Sequence, residues 1–148
     1  MKLNKYVVGF AFSEDCNNIL LIRKNKPEWQ KGLLNGIGGK IEAGEFPLDA
    51  MTRECEEEAG LILDWNYRGR IIGENDDLEQ FECHLFYTYD DKIYNFIQME
   101  EECVSVYDTG RVRALAIVNN LKYLIPFGMY NNGTAFLDLT YTIQPDKG

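Results

Sequence analysis

The chain has 148 residues, 45% of them hydrophobic, and carries 24 acidic against 15 basic residues for a formal charge of −9. A chain of that size buries the core of one domain, so residues 1–148 are expected to fold as a single unit. The charge repels a polyanion and no stretch forms a basic stripe, which excludes a nucleic-acid polymer as ligand but leaves room for a small anion bridged by metal ions.

No apolar run approaches the roughly 20 residues of a membrane span, and nothing resembles a signal peptide, so a soluble cytoplasmic protein without membrane contact is expected. "KYVVGFAF" and "NNILLIRK" read as two strands joined by a polar turn at Ser13 to Asn18. The next stretch, "KPEWQKGLLNGIGG", reads as loop because of its glycines at 32, 36, 38 and 39. Pro47 then opens a helix and Gly60 ends it. Inside it Leu48, Met51, Cys55 and Ala59 recur at helical spacing and predict a stripe packed on a core.

"NYRGRIIGE" and "FECHLFYTYDD" predict two more strands, the second alternating Phe81, Cys83, Leu85 and Tyr87 against Glu82, His84, Phe86 and Thr88. His84, the single histidine, is expected to be a structural strand residue. "ECVSVYD" adds a further strand, and "VNNLKYLIPFGMY" a short helix broken or bent by Pro126. "NNG" at 131–133 predicts a turn before a last strand, "TAFLDLTYTI". Cys16, Cys55, Cys83 and Cys103 are widely spaced with no C-x-x-C pair, which favours free thiols over disulfides or zinc. Helices and strands are thus mixed in an α/β, or α+β, chain.

Glu54, Glu57 and Glu58 fall together on one helix face beside the apolar stripe. Like charges three and four residues apart weaken an isolated helix by about 0.2–0.5 kcal/mol per pair. A solvated charged face is the plain explanation. The flanking residues argue for a second one, because Gly38 and Gly39 allow backbone carbonyls to approach an ion, and oxygen ligands suit a hard divalent cation. Arg53 can orient a carboxylate through a forked hydrogen bond.

From Gly39 the spacing is G, five residues, Glu45, seven residues, Arg53-Glu54-Cys55, then Glu56, Glu57-Glu58, Ala59, Gly60-Leu61. This resembles the Nudix box, G-x5-E-x7-R-E-U-x-E-E-x-G-U, with Cys55 the one departure, at the first U position. The resemblance implies a Nudix α/β/α sandwich, a mixed β-sheet between helices. It also implies hydrolysis of a nucleoside diphosphate linked to another group X, with Mg2+ or Mn2+ as cofactor. Glu54, Glu57 and Glu58 become metal ligands, aided by the Gly39 carbonyl, with Arg53 and Glu45 in support. The general base is implied to be a box glutamate or one of Glu101 and Glu102 in the acidic run before the later strand. Arg23, Lys24 and Lys40 are candidate phosphate contacts.

The stretch from Asn35 to Lys40, N-G-x-G-G-K, is similar to that of MutT-like proteins acting on oxidised purine triphosphates, and implies that Asn35 faces the base. Asn119 and Asn120 stand where mammalian relatives carry two aspartates, which alters the expected readout of 8-oxoguanine. Trp29, Tyr87 and Tyr123 are candidate stacking residues. ADP-ribose hydrolases of the family usually carry a proline about fifteen residues past the box, and here none lies between Pro47 and Pro126. The leading expectation is therefore a small-molecule nucleotide substrate, a nucleoside triphosphate cleaved to monophosphate and pyrophosphate. An ADP-ribose or dinucleotide pyrophosphatase and a non-catalytic nucleotide sensor are the alternatives. The chain is expected to be a monomer or homodimer.

Overall fold

The computed structural model describes residues 3–74, 79–130 and 135–141. Strand β1 (Leu3–Phe12) turns back into β2 (Asn18–Arg23), with Ala11 opposite Leu20. Ser13 closes the turn by donating its N–H to the Asn18 carbonyl at 2.9 Å, and Cys16 takes a left-handed φ of 62°. A short 3-10 turn (Glu28–Gln30) follows, then β3 (Leu34–Asn35) and β4 (Ile37–Lys40). Next come α1 (Pro47–Ala59), β5 (Asn66–Glu74), β6 (Gln80–Tyr89), β7 (Val104–Asp108), α2 (Leu121–Tyr130) and β8 (Leu137–Tyr141).

Among the described residues these eight strands form one mixed sheet in the order β3-β2-β1-β6-β5-β8, with β4 paired to β1 and β7 to β2. β1 and β6 run parallel from Leu3 opposite Gln80 to Phe12 opposite Tyr89. β5 and β8 are also parallel, and the remaining pairs are antiparallel.

Alternation along the strands supplies two cores, because both faces of the sheet are covered. Val7, Ala11, Leu20, Ile22 and Phe86 pack under Ala50, Met51, Cys55 and Ala59 of α1. Phe10, Phe12, Ile19, Leu21, Leu85 and Tyr87 pack under Leu121, Leu124 and Ile125 of α2. The result is the expected α/β/α layering.

The structure corrects several expectations. "NGIGG" is largely strand, since β4 pairs with β1 from Tyr6 opposite Lys40 to Gly9 opposite Ile37. Local composition favours a loop, but pairing with a central strand overrides it. Leu48 is 49% exposed and Ala50 takes its place in the core, because the face of α1 turned to the sheet runs through Ala50, Met51, Cys55, Glu58 and Ala59. α2 begins at Leu121 and runs through Pro126, held to the sheet by Tyr87 Oη donating to the Leu124 carbonyl and Tyr89 Oη to that of Gly128. The turn expected at 131–133 and the residues of the last strand beyond Tyr141 lie outside the described residues. Tyr87 is fully buried and cannot stack on a ligand, whereas Trp29 is 67% exposed. His84 lies on β6, where its Nδ1 is 2.9 Å from Tyr67 Oη. No helix among the described residues is long and apolar enough to cross a membrane.

Candidate active site

Two glycines on β4 bring the sheet and α1 together. At Gly38 a Cβ would sit 2.0 Å from the Val7 carbonyl oxygen, so only glycine passes there. At Gly39 a Cβ would sit 2.5 Å from Glu54 Oε1, so the carboxylate of Glu54 occupies the space a side chain would fill. α1 starts on Pro47, whose missing N–H costs nothing in the first turn, with Asp49 complementing the helix dipole. It ends where Gly60, at φ 67°, donates its N–H to the Glu56 carbonyl at 3.0 Å.

Arg53 organises the acids around it. Its Nε and Nη2 grip both oxygens of Glu45 at 2.8 and 2.9 Å, and Nη1 donates to Glu54 Oε1 at 3.0 Å and Glu57 Oε2 at 3.2 Å. The remaining Nη2 hydrogen reaches the Lys40 carbonyl at 3.1 Å, so all five guanidinium N–H groups are used. The Arg53 fork, together with the Glu42 N–H, holds the Glu45 carboxyl down at about 2.

Glu54 and Glu58 lie on the inner side of this cluster. Glu58 is 5% exposed, deeper than a helix-face reading predicts, and its buried Oε2 has no hydrogen-bond partner. Burial first, and then the neighbouring Glu54, push the Glu58 carboxyl well above the ordinary range, while Lys24 and the Gly38 N–H pull the other way. Burial likewise raises Glu54. Glu57 turns outward to Arg53, and among the described residues no three acidic, histidine or cysteine side chains already surround one point. A buried, unpartnered carboxylate oxygen beside a second carboxylate and a side-chain-free backbone is nevertheless a fitting seat for a hard divalent cation.

Just ahead of β7, Glu102 accepts from Lys24 Nζ at 3.1 Å and from the Asn25 N–H. Burial opposes the charge on Glu102, but these two donors outweigh it and hold the carboxyl below its usual value. Glu101 is exposed to solvent. Gln98, which the sequence did not single out, shapes this acidic turn: its amide nitrogen donates to the Glu100 and Glu102 carbonyls and its oxygen accepts the Val104 N–H. A glutamine six residues ahead of a strand carries no local signal for that role.

Three other candidates end strands, Arg23 closing β2, Asn35 β3 and Lys40 β4. Arg23 donates to the Gly32 carbonyl at 2.9 Å, and Lys40 is exposed. Asn35 accepts the Gly36 N–H at 2.8 Å and donates to Gln30 Oε1 at 3.0 Å. Leu34 bridges in parallel to Ile117 and bonds the backbone of Ala116 and Val118, so the residues that follow, Asn35 on one chain segment and Asn119 and Asn120 on the other, stand on neighbouring segments.

Comparison with known proteins places this arrangement. The NUDIX domain model matches residues 3–126. A zebrafish (Danio rerio) oxidized purine nucleoside triphosphate hydrolase is 35% identical over 72 residues, 45% of this chain and 44% of that relative, so the match spans less than half of the relative's length. A mutator MutT protein from Bacillus halodurans superposes with a TM-score of 0.73 at 19% identity, covering 98% of this chain and 93% of the other. The NUDIX domain of Shewanella oneidensis NrtR, solved with ADP ribose, superposes at 0.76 with 14% identity and 90% coverage of both chains. At such identities the superpositions establish the fold. The family model covers most of the chain and takes in the whole glycine-to-glutamate segment, and the chain therefore belongs to the Nudix hydrolase family.

Proposed function

We propose that the protein is a divalent-metal-dependent pyrophosphohydrolase acting on a nucleoside diphosphate linked to X, with a nucleoside triphosphate as its substrate and a monophosphate and pyrophosphate as its products. The observation that carries this reading is the buried, unpartnered Oε2 of Glu58, set beside Glu54 and the bare backbone of Gly39. Leaving such an oxygen unpaired is costly, and a structural role alone does not repay it.

Glu54 and Glu58, with Glu57 and the Gly39 carbonyl, are the groups to hold Mg2+ or Mn2+. A bound ion supplies Lewis-acid relief of the charge on the pyrophosphate. Arg53 fixes the rotamers of Glu54 and Glu57 by direct hydrogen bonds and is itself fixed by Glu45, so the ligating oxygens are preorganised. Glu102, half-buried ahead of β7 and held below its usual carboxylate value, is the more enclosed of the two acidic-turn candidates to accept a proton from the attacking water, since Glu101 is exposed to solvent. Trp29, exposed, and Asn35, bonded to the adjacent Gln30, offer a stacking face and an amide to a base.

The partial match to a purine triphosphate hydrolase favours an oxidised or normal purine as the base. Neutral amides at Asn119 and Asn120 predict a readout that differs from one made by two carboxylates. ADP-ribose is the second reading, favoured by the ligand of the S. oneidensis domain and disfavoured by the absence of a proline between Pro47 and Pro126.

The test is turnover with magnesium and then manganese over normal and oxidised dNTPs, NTPs, ADP-ribose, NADH and diadenosine polyphosphates. Pyrophosphate release from one triphosphate well above the rest supports the proposal and names the base. Exclusive cleavage of ADP-ribose moves the chain to the second reading, and nucleotide binding without any turnover makes it a sensor.

A further inference from the structure

One backbone N–H sets the direction of two side-chain amides. The Gly36 N–H can only donate, so the Asn35 atom that faces it at 2.8 Å is the carbonyl oxygen, Oδ1. The Asn35 Nδ2 is thereby turned to Gln30, and the atom that receives it there, at 3.0 Å, is Oε1. The Gln30 Nε2 is left at the other end of its carboxamide and has no hydrogen-bond partner among the described residues. Both backbones are held. Gln30 donates its N–H to the Pro27 carbonyl at 2.9 Å and accepts the Leu33 N–H at 2.8 Å, while Asn35 lies opposite Ile22 in the β2–β3 ladder. Both residues are half-buried, and Trp29, which precedes Gln30, is exposed.

The chain itself links this pair to the carboxylates. Asn35 ends β3, and four residues on, Gly39 of β4 lies against Glu54. Four residues of extended chain reach at most roughly 14 Å. A nucleotide whose phosphates meet the metal seat can therefore bring its base to the two amides.

We propose that Gln30 is a specificity-determining residue of the nucleotide site and that its Nε2 donates to a keto oxygen on the substrate's base. This rests on the triphosphate reading above. Asn35 alone is indifferent to the choice, because it keeps one Nδ2 hydrogen and one oxygen lone pair for a ligand. Gln30 is not, since its oxygen is engaged by Asn35 and its outer end is an amino group. A base with an amino group at that edge sets N–H against N–H and leaves the donors without an acceptor, a cost that a well-placed keto oxygen removes. The site thus takes a 6-keto purine, or a 4-keto pyrimidine, in preference to its amino counterpart.

The experiment compares turnover of dITP and dATP, which carry a keto and an amino group at the same ring carbon, by wild type, Gln30→Glu and Gln30→Met, with circular dichroism to establish folding. A glutamate keeps the oxygen that receives Asn35 and replaces the donor by an acceptor. Its charge weakens both triphosphates alike, so the ratio of their kcat/KM values isolates the edge being read. Wild type is expected to favour dITP, and the ratio to fall on the order of tenfold in Gln30→Glu, with Gln30→Met in between. Wild type that favours dATP, or a ratio unchanged in both variants, overturns the proposal. Wild type that cleaves no triphosphate strikes at the triphosphate reading, and binding of the monophosphates then decides the role of Gln30: dIMP is expected to bind more tightly than dAMP, and equal affinities overturn it. A further measurement is made on the wild-type chain. With 15N-labelled glutamine, the Gln30 side-chain amide signal, assigned through Gln30→Met, is expected to shift with dIMP, and a signal that stays in place while dIMP binds overturns the proposal independently.

Discussion

The carboxylate of Glu54 lies in the volume that a side chain at residue 39 would fill, 2.5 Å from the position of its Cβ. The neighbouring glycine faces a different obstacle, the backbone oxygen of Val7 at 2.0 Å. Two adjacent glycines therefore serve different ends. Gly39→Ala displaces only the flexible end of a side chain, so stability should change by no more than about 1 kcal/mol while metal affinity falls on the order of tenfold or more. Gly38→Ala collides with backbone and should cost about 3 kcal/mol or more. Urea melts and metal titrations of both variants check the contrast, and similar stability losses in the two would refute it.

Arg53→Lys keeps the charge but has neither the fork for Glu45 nor enough donors for Glu54, Glu57 and the Lys40 carbonyl. Loss of charge-assisted hydrogen bonds at this partly enclosed position should lower stability by about 1–3 kcal/mol. Turnover should fall much further than binding of the nucleotide, seen as a drop in kcat with KM little changed.

Glu57 is the most exposed of the three box glutamates, with 48% of its side chain in solvent. Glu57→Gln should leave the melting temperature nearly unchanged and abolish magnesium-dependent turnover. Retained turnover would remove Glu57 from the metal ligands.

The Glu45 carboxyl is held at about 2 in the folded chain, below the ordinary 4.5, by the Arg53 fork and the Glu42 N–H. A depressed folded value means that the contribution to stability is complete above pH 4.5 and disappears as pH falls from there towards 2. Glu45→Gln should therefore melt below wild type at pH 7, and the difference should close over that acidic interval. A gap that persists at pH 2 would show that the carboxylate charge is not its source.

Cys55 is fully buried on the inner face of α1, and burial pushes its thiol up to about 12, whereas Cys103 is exposed. At pH 8 iodoacetamide should label Cys103 on the native chain and reach Cys55 only after unfolding. Peptide mass mapping before and after denaturation reads this directly.

What could be read from the sequence was whatever is written locally. The glycine, arginine and glutamate positions from Gly39 to Gly60 lie within one strand end, one loop and one helix, so their spacing survives in the linear order. Strand identity for Ile37–Lys40 was hidden because its glycines suit a loop and its pairing partner, β1, lies some thirty residues earlier. The burial of Glu58 depends on how closely β4 passes α1, which helical spacing alone does not encode. Lys24 and Glu102 are 78 residues apart, and Gln98 acts through backbone groups, so neither relationship leaves a motif. Leu48 fits the apolar period, but the buried face of α1 runs through Ala50 and Met51 instead.

The parallel pairing of β1 with β6 also sets an order of events during synthesis. β1 leaves the ribosome first, yet its partner along its whole length, from Leu3 against Gln80 to Phe12 against Tyr89, emerges only after the acidic helix is complete. A nascent chain ending near Gly60 holds every box glutamate and the β1, β2 and β4 residues beneath Met51 and Cys55, but lacks Trp65, Phe86, Ile93 and Val104, which complete that core. Long-range parallel pairing is slow to form, so the interval in which this apolar helix face needs protection from aggregation is set by translation through residue 89.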